Sequence, residues 1–339
     1  MNGDGCGRVR IGFIGCGTHA AQNLYPSLRF ADCELAAAAD PMEERRLYGK
    51  RHFGAGTIYE SYEAMLAKEA LDAVIVCGPP SLHEEAGLAA LGRKLPVLVE
   101  KPPADGLEGC RRLRRAADAA GKPLMVAMMK RFAQKYEMAR AIASEPAFGA
   151  SRHLFIRYSY GMEATDPRHL LYLMGIHAVD LMRHFMGEPA ALSVERDDRL
   201  NFTINFRFVS GSTGTLVMNA TAPGVTERFE LTGEGASVVV DEIAHLVHYP
   251  RPEAAWKPVA GTSLHPNFPL QTPENDNLFL QGYAGEILEF VQSVAENRPP
   301  ATATIEEVIR TVELLELIAR TESGRIELDP DPADGSHST

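Results

Sequence analysis

Residues 9–20 are VRIGFIGCGTHA, an apolar run that leads directly into a turn with the spacing G-x-G-x-x-A. The apolar run predicts a β-strand, and a turn of this form between a strand and a helix is typical of dinucleotide binding. Gly15 would let the chain turn tightly, and Gly17, which has no Cβ, would let a pyrophosphate approach the backbone. Thr18 and His19 then lead into a predicted helix over 20–29, whose free N–H groups would face the phosphates.

A second apolar run, residues 33–39, ends at Asp40, which lies 23 residues after Gly17 (40 − 17). At an offset of about 20 residues, a carboxylate can bind the ribose hydroxyls of a dinucleotide. An aspartate there would also repel a 2′-phosphate, so the spacing favours NAD over NADP. The alternative is that Asp40 and Pro41 only end a strand.

Strands and helices alternate up to residue 128, which predicts a doubly wound parallel sheet covered by helices on both faces. One predicted strand ends at Gly78-Pro79-Pro80, with His83 close behind, and the next delivers Glu100-Lys101-Pro102. In such sheets, ligands bind beyond the carboxyl ends of the strands. Lys101 is therefore well placed for chemistry.

Size and charge narrow the function further. At 339 residues the chain exceeds the usual size of a single core, so two domains are expected. The net charge of -11 argues against nucleic acid and anionic membranes as partners and favours a small molecule.

Two further absences in the sequence bear on where the protein is found. A membrane span needs about 20 consecutive apolar residues, and no apolar run is that long. No signal-peptide core is found near the start either, so a cytoplasmic location is expected. The 5 cysteines form no C-x-x-C pair, so we expect reduced thiols and no metal site.

The second half of the chain changes pattern. His177 and Asp180 lie three residues apart in a helical segment, so they would share one face beside an apolar stripe and could line a pocket. A lone histidine in such a place is more often a core residue.

From residue 192, apolar residues alternate with polar ones, which predicts antiparallel strands. Residues 250–277 are rich in proline and hold Trp256, His265 and Phe268, which suggests a lid or subunit contact.

The predicted fold class is therefore α/β: an N-terminal Rossmann doubly wound parallel sheet, followed by an α+β domain with a large, mostly antiparallel open sheet. The expected division is a dinucleotide-binding domain at 1–128, a substrate-binding and oligomerisation domain at 129–328, and a tail at 329–339. An open sheet with an apolar outer face would be a natural surface for pairing subunits.

The motifs around Gly15, Asp40, His83 and Lys101 together resemble the Gfo/Idh/MocA oxidoreductase family, named after glucose-fructose oxidoreductase and inositol dehydrogenase, and the resemblance covers nearly the whole chain. It implies that Lys101 and His177 are catalytic, with the lysine beside the nicotinamide and the substrate hydroxyl. It also implies homodimers or homotetramers. The cofactor contacts implied are Gly15, Gly17, Thr18, His19, Asp40, Gly78, Pro79, His83, Glu100 and Lys101, and the substrate contacts are Lys130, Arg131, Asp180 and Tyr160.

One position departs from the family pattern. Dehydrogenases of the family commonly carry an aspartate one turn before the histidine, and Leu173 stands there in this chain. Asp166, His169 and Tyr172 lie upstream and are the candidates to replace that carboxylate. The departure leaves the substrate open.

The leading hypothesis is NAD-dependent oxidation of a secondary alcohol on a sugar or cyclitol, or the reverse reduction. Lys101 would accept or relay the hydroxyl proton, and His177 would hydrogen-bond the reacting oxygen. Asp180, with Arg131 or Lys130, would anchor other hydroxyls. The alternatives are a glycoside hydrolase that uses bound NAD for transient oxidation, and a non-catalytic dinucleotide sensor.

Overall fold

The computed structural model describes residues 7–161, 166–252, 260–264 and 276–328. The chain packs into two compact units, Met1–Phe132 with Thr272–Val312, and Ala133–Gln271 with Glu313–Thr339. This grouping is more complex than the expected domains at 1–128 and 129–328, because 272–312 returns to the first unit. The expected tail at 329–339 lies outside the described residues.

The elements are numbered in chain order. The strands are β1 Val9–Ile14, β2 Cys33–Ala39, β3 Thr57–Tyr59, β4 Ala73–Val76, β5 Val97–Val99, β6 Leu124–Val126, β7 Ser151–Ser159, β8 Pro189–Arg196, β9 Asn201–Phe208, β10 Thr213–Asn219, β11 Thr226–Gly233, β12 Ala236–Asp241, β13 His245–Pro250, β14 Thr262–Leu264 and β15 Ser323–Glu327. The helices are α1 Tyr25–Leu28, α2 Glu43–Phe53, α3 Tyr62–Lys68, α4 Pro80–Gly92, α5 Leu107–Ala120, α6 Gln134–Ala143, α7 Pro167–Leu170, α8 Ile176–Met186, α9 Asp276–Gln281, α10 Tyr283–Ala295 and α11 Ile305–Arg320.

The first unit is built on a parallel sheet of six strands in the order β3-β2-β1-β4-β5-β6. The side chains of β4 and β5 are buried throughout, as expected for parallel strands covered on both faces. The strand order reverses between β1 and β4, so the switch point of the sheet lies beyond their carboxyl ends. Ile14, the last residue of β1, is paired with Ala39 on one side and Val76 on the other.

The second unit contains a sheet of nine strands in the order β14-β13-β12-β11-β7-β10-β9-β8-β15. Within the described part of this second sheet, β7 and β10 form the only parallel pair, and the other neighbouring strands are antiparallel. In β9, Phe202, Ile204, Phe206 and Phe208 are buried, whereas the residues between them are exposed. Helix α8 packs against β7 and β10. Hydrophobic alternation with period two therefore produced the predicted half-buried sheet.

Two details differ from the sequence predictions. The exposed face of β9 carries Thr203, Asn205 and Arg207, so the outer surface there is polar instead of apolar. The helical segment around His177 consists of α7, a π-helical turn at Leu171–Gly175 and then α8. Trp256, His265 and Phe268 of the predicted lid lie outside the described residues.

The predicted fold class is confirmed: a doubly wound parallel sheet is joined to an α+β unit with a large, mostly antiparallel sheet. None of the helices in the described part of the chain is long and apolar enough to cross a membrane.

The glycine at the end of β1 gives a test of this architecture. Gly15 has a φ of +90°, and a Cβ there would lie 1.8 Å from the carbonyl oxygen of Cys77. Gly54 has a similar φ of +74°, but a Cβ there would meet nothing within 4 Å among the residues described. Gly54→Ala should therefore cost about 1–2 kcal/mol from the backbone conformation alone. Gly15→Ala should cost about 3 kcal/mol or more, because overlap with the backbone adds to that strain.

The measurement is urea unfolding of both variants without added cofactor. Equal losses of stability would show that the contact between Gly15 and Cys77 does not constrain the switch point.

Candidate active site

The glycine turn after β1 is tied to the end of β2 by Asp40. The Cys16 N–H donates to Asp40 Oδ2 at 2.8 Å, and the Met42 N–H donates to Asp40 Oδ1 at 2.8 Å. Asp40 is only 5% exposed. The carboxylate that was expected to meet the ribose therefore also has a structural role, because it satisfies two backbone donors and sets the turn against the second strand.

The second glycine of the turn faces open space. A Cβ built on Gly17 would meet only Arg45 Nη1, at 3.9 Å, within the part of the chain described. Thr18 is exposed beside it. A bare backbone with free space in front of it is what a pyrophosphate requires, so these residues fit a dinucleotide. Sequence reasoning missed Arg45, although the adjacent basic pair at residues 45 and 46 was a visible signal.

His83 connects two turns at the carboxyl edge of the sheet. Its Nε2 accepts the Gly78 N–H at 3.0 Å, so Nδ1 carries the proton and donates to the Pro102 carbonyl oxygen at 2.8 Å. Burial is the main cause that lowers the pKa of His83, which keeps the ring neutral. The side chain is 1% exposed. His83 therefore holds the turns after β4 and β5 together, and its role as a cofactor contact stays a prediction.

Glu100 is held by two hydrogen bonds. The His19 Nε2–H donates to Glu100 Oε1 at 3.0 Å, and the backbone N–H of Lys101 donates to Oε2 at 2.9 Å. Burial on its own would raise the pKa of Glu100, but the hydrogen bond from His19 and the nearby positive charges hold it below the ordinary value. Glu100 is therefore an anion, and it links the glycine turn to the turn that carries Lys101.

Lys101 follows β5 and is half-buried. Burial of its ammonium is the main cause that lowers its pKa, and the positive charge of Lys130 acts in the same direction. The negative charge of Glu100 opposes this shift without reversing it. A lysine with a lowered pKa at the carboxyl end of a parallel sheet has the properties of a general base.

Glu286 belongs to the same cluster, and sequence reasoning missed it. It lies in the first turns of α10 and is 0% exposed. Burial raises the pKa of Glu286 well above its usual value, and the negative charge of Glu100 adds to the effect. An acidic residue within an apolar helical stretch was the only signal in the sequence, and it does not reveal the distant groups that surround Glu286.

The two predicted substrate cations differ in their surroundings. Arg131 Nη1 donates to Thr302 Oγ1 at 2.6 Å and to Glu307 Oε2 at 2.7 Å. Glu307 also accepts the backbone N–H of Thr304 at 3.3 Å as part of a capping box at the start of α11. Arg131 thus anchors the turn at 129–132 to that helix. Lys130 is 5% exposed, and its charge acts on Lys101.

In the second unit, His177 and Asp180 both lie on α8 and are 6% and 2% exposed. Leu173 lies in the preceding π-helical turn. Tyr160 follows β7, and its N–H donates to the Asn219 carbonyl oxygen at 2.8 Å. His177 and Asp180 therefore lie on one helix, as their spacing predicted. Their contacts with a substrate stay predictions.

The candidates to replace the missing aspartate have other contacts. Asp166 accepts the N–H groups of Arg168 and His169 at 3.0 and 3.3 Å and so caps α7. The Tyr172 hydroxyl donates to Glu316 at 2.5 Å. His169 is exposed. Asp166 and Tyr172 therefore stabilise the helices, and the side chain one turn before His177 is apolar.

Comparison with known proteins places this geometry in a family. Residues 9–128 match the model of an oxidoreductase family with an NAD-binding Rossmann fold, and residues 136–239 match the GFO/IDH/MocA C-terminal domain. Inositol 2-dehydrogenase 2 of Saccharopolyspora erythraea is 30% identical over 195 residues, which are 56% of this chain and 58% of that protein. D-xylose 1-dehydrogenase (NADP(+)) 2 of Haloferax volcanii is 30% identical over 191 residues, 53% of this chain and 58% of that protein.

The chain thus matches less than two thirds of the length of these two relatives. A solved dehydrogenase from Chromobacterium violaceum superposes with a TM-score of 0.84 at 28% identity, over 92% of this chain and 94% of that one. With both family domains matched in order and the fold shared over nearly its full length, the chain belongs to the Gfo/Idh/MocA oxidoreductase family.

Proposed function

We propose that the protein is an NAD-dependent oxidoreductase that acts on a secondary alcohol, or the corresponding ketone, of a sugar or cyclitol. The observation that carries this proposal is Lys101, a half-buried lysine with a lowered pKa that shares one cluster with the turn of the dinucleotide fingerprint. The names of the two relatives, an inositol dehydrogenase and a xylose dehydrogenase, support this class of substrate.

The residues that would hold the cofactor are the glycine turn at 15–19, Asp40, and the turn at Gly78-Pro79. Asp40 keeps acceptor capacity after its two backbone hydrogen bonds, and its negative charge would disfavour a 2′-phosphate. Arg45 is placed to neutralise a phosphate near Gly17. NAD would supply the hydride acceptor, and the protein supplies position and a proton acceptor.

Lys101 is the proposed proton acceptor for the substrate hydroxyl. A neutral amine is needed for this step, and burial together with Lys130 shifts Lys101 toward that form. His177 is proposed to hydrogen-bond the reacting oxygen, and Asp180, Lys130 and Tyr160 to bind other hydroxyls. Arg131 is left out of the substrate set because its guanidinium is held by Thr302 and Glu307.

The alternatives find less support. A non-catalytic sensor has no use for a lysine whose proton affinity is lowered by burial, and no feature of the described residues favours the hydrolase. Pairing of subunits through the large sheet, as a dimer or tetramer, stays a prediction, as does a cytoplasmic location.

The substrate class can be tested by a screen. Purified protein with NAD and a panel of polyols that includes myo-inositol, D-xylose and related sugars should form NADH, measured by its near-ultraviolet absorbance. Simple alcohols of similar size should give little NADH, because they lack hydroxyls for the anchoring residues. If no NADH is formed, the cofactor stays bound, and the protein instead cleaves a glycoside and releases its aglycone, the function is that of the hydrolase and not of a dehydrogenase.

Cofactor choice tests the role of Asp40. Isothermal titration should show NAD binding at least about tenfold tighter than NADP, which corresponds to about 1.4 kcal/mol. Asp40→Asn keeps a hydrogen-bond acceptor for the Cys16 N–H but removes the negative charge. The affinity of the variant for NAD should therefore exceed its affinity for NADP by less than in the wild type. Equal affinity of the wild-type protein for both cofactors would contradict the assignment of Asp40.

Lys101→Met tests the proton acceptor. The substitution keeps the length of the side chain and removes the amine, so kcat/KM should fall by about 10²–10⁴-fold. NAD affinity by titration should change by less than about threefold, since the cofactor is held mainly by the backbone of the turn. Lys68→Met, at an exposed position on α3, is the control and should leave both quantities unchanged. An active Lys101→Met variant would remove the lysine from the mechanism.

A further inference from the structure

Glu286 is a buried acidic residue, and no hydrogen bond within the described part of the chain stabilises its carboxyl group. It is 0% exposed, and neither of its carboxyl oxygens has a hydrogen-bond partner within the described ranges. A buried carboxylate without a donor or an ion pair is strongly unfavourable, so such a group normally stays protonated. Buried polar groups without partners are rare in folded proteins, and they occur most often where function requires them.

The first turns of α10 place Glu286 within the Lys101 cluster. The ring of Tyr283 lies 5.5 Å from the ring of His19, which bonds Glu100. A Cβ on Gly285 would lie 2.9 Å from the Cβ of Phe132, so the helix is pressed against the turn that carries Lys130. The charges of Glu286 and Lys101 act on each other. The titratable groups whose charges act on or are acted on by Glu286 are Glu100, Lys101 and Cys77. Lys130 acts on Lys101, and His19 contacts Tyr283 at the start of the same helix.

We propose that Glu286 is a positioning residue that forms one proton-holding pair with Lys101: the pair holds one proton before the reaction and two after Lys101 accepts the hydroxyl proton of the substrate. This inference rests on the proposed function. In the step itself, the O–H bond of the substrate breaks and an N–H bond forms on Lys101. The C–H bond of the carbinol carbon breaks as a C=O bond forms there, and NAD, when bound, would accept the hydride. Solvent later takes the second proton of the pair.

The charges explain why an acid that keeps its proton is useful there. Glu100 already provides one negative charge beside Lys101. A second full negative charge on Glu286 would bind the ammonium form of Lys101 more tightly and would oppose its role as a base. A neutral Glu286 avoids this effect and can still ionise when Lys101 is an ammonium. Two coupled groups of this kind titrate together and not as separate sites.

Infrared spectroscopy of the cofactor-free protein tests the pair without any substrate. The carbonyl stretch of a neutral carboxylic acid is separate from the bands of carboxylates, so Glu286→Gln should remove a protonated-acid band near neutral pH. The matched control is Glu289→Gln on the same helix. Glu289 Oε1 is 2.7 Å from Arg298 Nη1, and this ion pair lowers the pKa of Glu289 even though partial burial opposes the shift. Its replacement should leave the protonated-acid band unchanged.

Lys101→Met tests the coupling, with the carboxyl group of Glu286 intact. The positive charge of Lys101 lowers the pKa of Glu286, so without it the protonated-acid band should persist to a pH higher by about one unit or more. A merely structural role for Glu286 would leave this titration unmoved. No protonated-acid band from Glu286, or no shift in Lys101→Met, would overturn the proposal even if Glu286→Gln failed to fold.

The pH dependence of turnover separates this inference from the proposed function. With myo-inositol, or the polyol selected by the screen, the acid limb of kcat/KM in Glu286→Gln should follow a single ionisation and reach its plateau at lower pH than in the wild type. If no polyol is oxidised, the proposed function fails while the infrared titration still decides the pair. If turnover is normal and Glu286→Gln leaves the acid limb unchanged, only the pair is wrong.

Discussion

The contact between Gly15 and the carbonyl oxygen of Cys77 is the constraint on which the first unit depends. It requires a residue without a Cβ at the end of β1, and it brings that strand and β4 together at the point where the order of the sheet reverses. The glycine turn can then bend away from the sheet, and Asp40 holds it there through the Cys16 N–H. The exposed backbone at Gly17 is a consequence of this packing.

At the carboxyl edge of the parallel sheet, burial and neighbouring charges determine which side chains of the site carry a proton. Glu100 stays ionised because His19 and the backbone of Lys101 donate to it, whereas Glu286 lacks such donors among the described residues and keeps its proton. The charge of Lys101 interacts with both of these acids and with the cation of Lys130. Desolvation is the largest influence on all three of the groups Glu100, Lys101 and Glu286, so small changes in packing would alter their proton affinities.

In the second unit, the same alternation of apolar and polar residues that predicted the sheet also accounts for its packing against α8. Asp166 and Tyr172, two of the candidates to replace the aspartate absent at Leu173, have stabilising contacts of their own. Among the described residues, the side chain one turn before His177 is therefore the apolar one of Leu173.

The sequence by itself determined the fold class, the place of the dinucleotide turn, and the positions of Asp40 and Lys101, because strand periodicity and the conformational freedom of glycine are local properties. Only the tertiary structure decided that Glu286 joins Lys101, that Arg131 is held by Thr302 and Glu307, and that His83 is enclosed between two turns. The burial and charge of these groups depend on segments far apart in the chain, and no local pattern records which segments will meet.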